Sequence, residues 1–234
     1  MVWAWCMMFN GSTMHVIQDI VPGACAQRTL LVALPGAGDC AQDLIDQHFV
    51  RVLRERQLAV DVFAVDVPMD AYLEGKVVRR MADEVIAPAR EAGWRSIWLM
   101  GISLGGMGAL AYVREHPQDI AGVILLAPFL GTRGLIAEVA RAGGLDQWHP
   151  RAIPDGDEER HLIAWLKHKT MDHPDTPFIY LGYGHEDRFA AASQLLSQRL
   201  PADRIAMVPG GHDWSTWLAL WCRMLDRPVF AGAR

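Results

Sequence analysis

Along the chain, short and continuously apolar runs alternate with longer stretches whose apolar residues recur every three or four positions. The run TLLVAL at 29–34 stops at Pro35 and Gly36, which predicts a strand buried on both faces. Over 41–57, Leu44, Ile45, Phe49, Val52 and Leu53 fall at helical intervals opposite Asp43, Asp46, Arg51 and Arg54, so one amphipathic helix is expected there. The same reading gives strands at 60–67, 96–100, 122–127, 177–182 and 204–208, and helices at 77–92, 104–115, 189–199 and from 213 to about 225. Pro88 should kink or break the helix 77–92, because proline removes a helical hydrogen bond and its ring presses on the preceding turn.

Strands that are apolar on both faces and alternate with helices specify a mostly parallel sheet with helices on both sides, an α/β fold. The 234 residues suit a single domain over 1–234, near the upper size for one hydrophobic core. The segment 131–176 departs from the rhythm, with helical stretches at 135–141 and 158–169 and no strand between them. Asp155 with Glu158 three residues later reads as the start of its second helix. The expectation is a small helical cap or lid inserted between two strands.

Apolar residues make up 51% and charged residues 21% of the chain, the balance of a globular protein rather than a disordered one. The 22 basic residues are dispersed and outnumbered by 27 acids, for a formal charge of −5, which points away from a nucleic-acid partner. Cys6, Cys25, Cys40 and Cys222 show no paired spacing, so reduced thiols in a cytoplasmic protein are expected. The opening apolar run 2–9 has no preceding Lys or Arg, and the small residues at 24–26 follow only after polar positions, so a signal peptide is not expected. The uncharged stretch 97–113 is crowded with Gly101, Gly105, Gly106 and Gly108 and reads as a strand turning into a helix rather than a membrane span.

That turn carries chemistry. Gly101-Ile102-Ser103-Leu104-Gly105 fits G-x-S-x-G, with a strand before it and a helix after it, the setting in which a serine hydroxyl is held above a sheet edge as a nucleophile. A serine needs a base to take its proton, and the base needs a carboxylate to fix its tautomer. In chain order Ser, acid, His, the base is His212 in Gly210-Gly211-His212-Asp213-Trp214, and the acid is Asp187, with Glu186 as its rival. Asp213 is expected to cap the last helix. Oxyanion donors would be the amide of Leu104 and one from Pro35-Gly36-Ala37-Gly38, most simply that of Ala37. Phe129, Trp148 and Trp165, with Gly36, are candidate walls of a substrate pocket; Trp214, Trp217 and Trp221 stand at helical spacing and read as core packing.

These residues resemble the alpha/beta-hydrolase superfamily over nearly the whole chain. GISLGGMGAL and GGHDWSTW are similar to the esterase D and mycolyltransferase-antigen branch, while PGAGDCAQDL looks like the matching loop of acyl-protein thioesterases and small carboxylesterases. The resemblance implies a serine carboxylesterase that needs no metal or cofactor, with Ser103 as nucleophile, Asp187 as acid and His212 as base, acting on a small-molecule ester with a short or medium acyl chain. Acyl-thioester hydrolysis and acyl transfer are alternatives on the same fold. Many relatives carry His-Gly before the oxyanion loop where this chain has Pro35-Gly36.

Two readings of other classes compete. Gly36-Ala37-Gly38-Asp39-Cys40-Ala41 satisfies G-x-G-x-x-A between a strand and a helix, with Asp61 or Asp66 where a ribose-binding acid would stand, the pattern of a dinucleotide-binding oxidoreductase. Asp39 would then set a negative charge beside a pyrophosphate. The other is a catalytically idle module that captures a small ligand on this fold. His161, His168 and His173 lack H-E-x-x-H spacing and read as a solvated helix face rather than metal ligands.

Overall fold

The computed structural model describes residues 13–23, 29–168 and 177–230. The apolar run 2–9, the small residues 24–26, Cys6, Cys25, His173 and the end of the 131–176 insertion lie outside the described residues. Seven strands form one sheet: β1 (His15–Asp19), β2 (Thr29–Leu34), β3 (Val60–Asp66), β4 (Ser96–Ile102), β5 (Gly122–Leu126), β6 (Phe178–Gly184) and β7 (Ile205–Val208). Their order is β1-β3-β2-β4-β5-β6-β7, and every neighbouring pair is parallel except β1 with β3. Every residue of β2 and β5 is buried, as expected of central strands covered on both faces.

The edge strand β1 was not legible as a strand. Its sequence HVIQD is only half-buried, so no apolar run announces it. Pairing with β3 and side-chain contacts hold it, including His15 Nδ1 on Asp66 at 2.9 Å. Beyond its end, the Val21 amide donates to the buried Asp61 carboxylate at 2.8 Å.

Ten α-helices surround the sheet among the described residues: α1 (Ala41–Asp46), α2 (Phe49–Glu55), α3 (Met69–Leu73), α4 (Val77–Met81), α5 (Ala87–Glu91), α6 (Leu104–Glu115), α7 (Arg133–Arg141), α8 (Glu158–His168), α9 (Ala190–Ser197) and α10 (Trp214–Leu225). Alternate residues of each strand serve opposite cores. Leu31, Ala33, Val62 and Ala64 pack with α1, α2 and α10, whereas Leu30, Val32, Leu34 and Leu99 pack with α4 to α9. In the segment 131–176, Leu135, Ile136 and Val139 of α7 and Leu162, Ile163 and Leu166 of α8 join the second of these cores.

Two expected helices are interrupted. The helix 41–57 breaks at His48, which steps into left-handed backbone at φ 68. The break re-aims α2 so that Phe49, Val50 and Leu53 share a core with Leu44; apolar spacing survives it, which is why periodicity alone reads one helix. The helix 77–92 passes through a wider π turn at Ala82–Ile86 before α5, with Pro88 in the first turn of α5. Pro88 has no N–H to donate one turn back, and the wider turn upstream accommodates its ring. No helix among the described residues is long and apolar enough to cross a membrane.

Candidate active site

The strand order reverses direction at β2 and β4. From β2 the chain steps to β3 on one side, then crosses back to β4 on the other, and ligands of open parallel sheets meet the crevice at the carboxyl ends of such strands. The loop 35–40 leaves β2 at this point and Ser103 leaves β4 beside it.

Ser103 holds φ 51 and ψ −114 between the end of β4 and the first residue of α6, a region costly for a side-chain-bearing residue. The flanking glycines permit the turn through close approach. A Cβ on Gly101 would lie 2.3 Å from the Gly105 carbonyl oxygen, and one on Gly105 would lie 2.3 Å from that of Leu34. Helix α6 is thereby pressed against the exit of β2, which sets Leu104 beside the Pro35–Asp39 loop; both line one cleft.

Three side chains far apart in sequence converge here. The Ser103 hydroxyl is 2.9 Å from His212 Nε2, and His212 Nδ1 is 2.8 Å from Asp187 Oδ2. A carboxylate can only accept, so Nδ1 carries the proton and Nε2 is left to accept from the serine. Asp187 is 6% exposed, and its other oxygen accepts the Phe189 amide at 2.7 Å. The imidazole is flanked edge-on by Phe189 at 4.9 Å and Trp217 at 5.0 Å between ring centroids.

Glu186, the rival acid, does different work. Its carboxylate accepts from the Gly210 amide, and its own amide donates to the Gly210 carbonyl at 3.0 Å, so it braces the loop that carries His212. Asp213 caps α10 through Thr216 N at 2.9 Å, and its carboxyl is held below the usual range by the Ser215 hydroxyl and then the Thr216 amide.

Of the candidate pocket residues, Gly36, Ala37 and Leu104 line a cleft of about 220 Å3 together with Pro35, Gly38, Asp39, Val67, Met69 and Tyr72. Leu104 opens α6, so its amide has no acceptor within the helix. Phe129 stands at the other side of Ser103: its amide donates to the Ser103 carbonyl at 2.8 Å and its ring meets Phe189 edge-on at 5.7 Å. Trp148 is 2% exposed inside the insertion, its indole N–H on Glu138 at 2.9 Å. Trp165 is half-buried on α8 against the same core. Neither tryptophan lines the cleft. Trp221 packs in the core with its N–H on the Phe49 carbonyl at 3.0 Å, whereas Trp214 and Trp217 reach the site.

Sequence reasoning missed Phe189, Asp39 and the residues of α3. Helix α3 has five residues with Met69 and Leu73 largely exposed, too few to set a period. The loop 36–41 also lacks what a dinucleotide would use. The amides of Cys40 and Ala41 that open α1 are already taken by the Asp43 and Asp66 carboxylates, so acidic groups occupy the place a pyrophosphate would need.

A family model described as serine aminopeptidase, S33, matches residues 77–185, a span that includes Ser103 and stops before Asp187 and His212. Est1E from Butyrivibrio proteoclasticus superposes with a TM-score of 0.63 at 17% identity, over 94% of each chain. The chain has the α/β-hydrolase fold. A monoacylglycerol lipase of this fold from Paleococcus ferrophilus aligns with a TM-score of 0.59 at 16% identity, over 94% of this chain and 100% of the lipase. An S-formylglutathione hydrolase from Staphylococcus aureus gives 0.59 at 14% identity, over 97% of this chain and 100% of that one. No curated protein matches the chain. In this α/β-hydrolase fold Ser103, Asp187 and His212 follow β4, β6 and β7 in turn.

Proposed function

We propose that this α/β-hydrolase chain is a serine hydrolase that cleaves carboxylic esters through an acyl-enzyme. The observation that carries the reading is the unbroken line of hydrogen bonds from Ser103 through His212 to Asp187. In this mechanism the Ser103 oxygen attacks the ester carbonyl while His212 Nε2 takes its proton. Buried Asp187 keeps Nδ1 protonated and stabilises the imidazolium that forms. The amides of Leu104 and Ala37 receive the oxyanion, and His212 returns the proton to the departing alkoxide. A water activated by the same imidazole then attacks the acyl carbon and frees Ser103.

The lipase and esterases among the structural neighbours support esters as the substrate class. The 131–176 insertion is inferred to shape the apolar side of the site through the neighbourhood of Phe129 and Phe189, as a cap built on the core that α6 and α9 share.

The test is hydrolysis of aryl esters of increasing acyl length. Ser103→Ala is expected to lower turnover by about 10³-fold or more, by the measure of removing a serine nucleophile from such a constellation, with an unchanged circular dichroism spectrum. A variant that keeps a near-normal rate refutes the assignment. A wild-type chain that turns over neither esters nor thioesters would favour a ligand-binding role on this fold.

A further inference from the structure

The two sides of Ser103 differ in chemistry. Toward Phe129 and Phe189 the surroundings are aromatic. Toward the β2 exit lies the cleft of about 220 Å3, smaller than the roughly 300 Å3 and upward of sites that enclose a whole ligand, so it has room for one short arm of a substrate.

Among the described residues its lining holds a single side chain that is charged at neutral pH. Besides Asp39 the wall comprises Pro35, Gly36, Ala37, Gly38, Val67, Met69, Tyr72 and Leu104, with no Lys, Arg or His. Burial pushes the Tyr72 phenol upward, so it stays neutral. The Asp39 carboxylate is close to the reacting serine. A Cβ placed on Gly36 would be 3.0 Å from Asp39 Oδ2 and 3.5 Å from Ser103 Cβ, so the two groups lie no farther apart than those distances together. Asp39 is held in place by its amide on the Gly36 carbonyl at 3.2 Å, and the Trp214 indole stands near enough to draw its carboxyl down. Among the described residues this leaves most of the carboxylate's acceptor capacity unused.

An uncompensated negative charge at this position works against the chemistry, because it raises the energy of an oxyanion forming beside it. The surroundings do little to neutralise it. Burial and then the Asp43 carboxylate push the Asp39 pKa upward, opposed by the nearby Trp214 indole and then by His212. Asp43 itself is engaged by the Cys40 amide. The nearby guanidinium of Arg188 stands over Phe189, outside the cleft lining.

We propose that this cleft receives a short substrate arm ending in a protonated amine, with Asp39 as the residue that selects it; the proposal rests on the ester-hydrolase reading above. The ammonium would supply the missing positive charge beside the oxyanion, and an arm ending in a carboxylate would be rejected by like charge.

The experiment compares kcat/KM for methyl β-alaninate, methyl butyrate and monomethyl succinate, whose acyl arms match in length and carry charges of opposite sign or none. A second pair, 2-dimethylaminoethyl acetate and 3-methylbutyl acetate, moves the charge to the alcohol arm. The amine is expected to be favoured over its neutral match by about 10-fold in one of the two sets, with the succinate at least 10-fold below butyrate if the acyl arm is the one bound. In Asp39→Asn the preference should shrink to within about 3-fold, and Asp39→Glu should keep its sign. Equal rates for charged and neutral arms in both sets, or a preference that survives in Asp39→Asn, overturn the proposal. Should no ester in the sets turn over, slowing of fluorophosphonate labelling of Ser103 by propylammonium and not by propionate reads the same preference, and equal slowing by both overturns it. Absence of both hydrolysis and labelling instead counts against the hydrolase reading itself.

Discussion

Asp187 and Glu186 are adjacent acids at the end of one strand, and the folded chain gives them opposite tasks. Asp187 is buried against Nδ1 of His212, while Glu186 binds the backbone of Gly210. Asp187→Asn should therefore lower kcat by about 10⁴-fold near neutral pH, since an amide N–H in place of the acceptor favours the wrong imidazole tautomer. Glu186→Gln should stay within about 10-fold and act through loop stability. A steady-state comparison of the two purified variants checks this, and the reverse order would reassign the acid. That Ser103, His212 and Asp187 meet in one line of hydrogen bonds could be expected from the sequence, because each sits in a short loop directly after a strand. Asp39, Tyr72 and Phe189 could not, because their relation to Ser103 exists only after β2, β4 and β6 are laid side by side.

Where α6 meets the exit of β2, neighbouring elements approach to backbone contact. There the glycine positions leave backbone against backbone, so the turn at Ser103 and the loop 35–40 are set by the packing of rigid elements. Helices α7 and α8 are tied to each other differently. Arg160 of α8 forks onto Glu138 of α7 at 2.6 and 2.8 Å, and Trp148 adds its indole N–H to the same carboxylate. Arg160 and then Trp148 hold the Glu138 carboxyl down to about 2 from an ordinary 4.5. A lowered carboxyl stabilises the fold fully above its unfolded value and loses that contribution as pH falls through the folded one. Glu138→Gln should accordingly speed amide exchange in α7 and α8 at pH 7 by several-fold, with the difference from wild type vanishing as pH drops from about 4.5 toward 2. The effect on global melting should be small, since the pair is partly exposed to solvent. Exchange that is unchanged at pH 7 would mean the tie contributes nothing. Helix α7 was legible from its strongly amphipathic residues. The break at His48 and the π turn before Pro88 were not located, because both preserve the apolar spacing around them.

For the molecule as a whole, the alternation of buried strands and helices carried the α/β class, since continuous apolar runs such as 29–34 can be covered only by a sheet with two packed faces. The edge strand β1 escaped because an exposed edge needs no apolar run. What the sheet adds is the reversal at β2 and β4, which sets the Gly36 loop next to Ser103 and leaves β6 and β7 to bring Asp187 and His212 to the same mouth. The measurement that tests this most directly is mass spectrometry of the intact chain after a fluorophosphonate, followed by peptide mapping. The account predicts a single adduct on Ser103, absent in Ser103→Ala and formed at least about 100-fold more slowly in His212→Ala. Ester hydrolysis by a chain that takes up no adduct, or an adduct on another residue with Ser103→Ala still active, would contradict it.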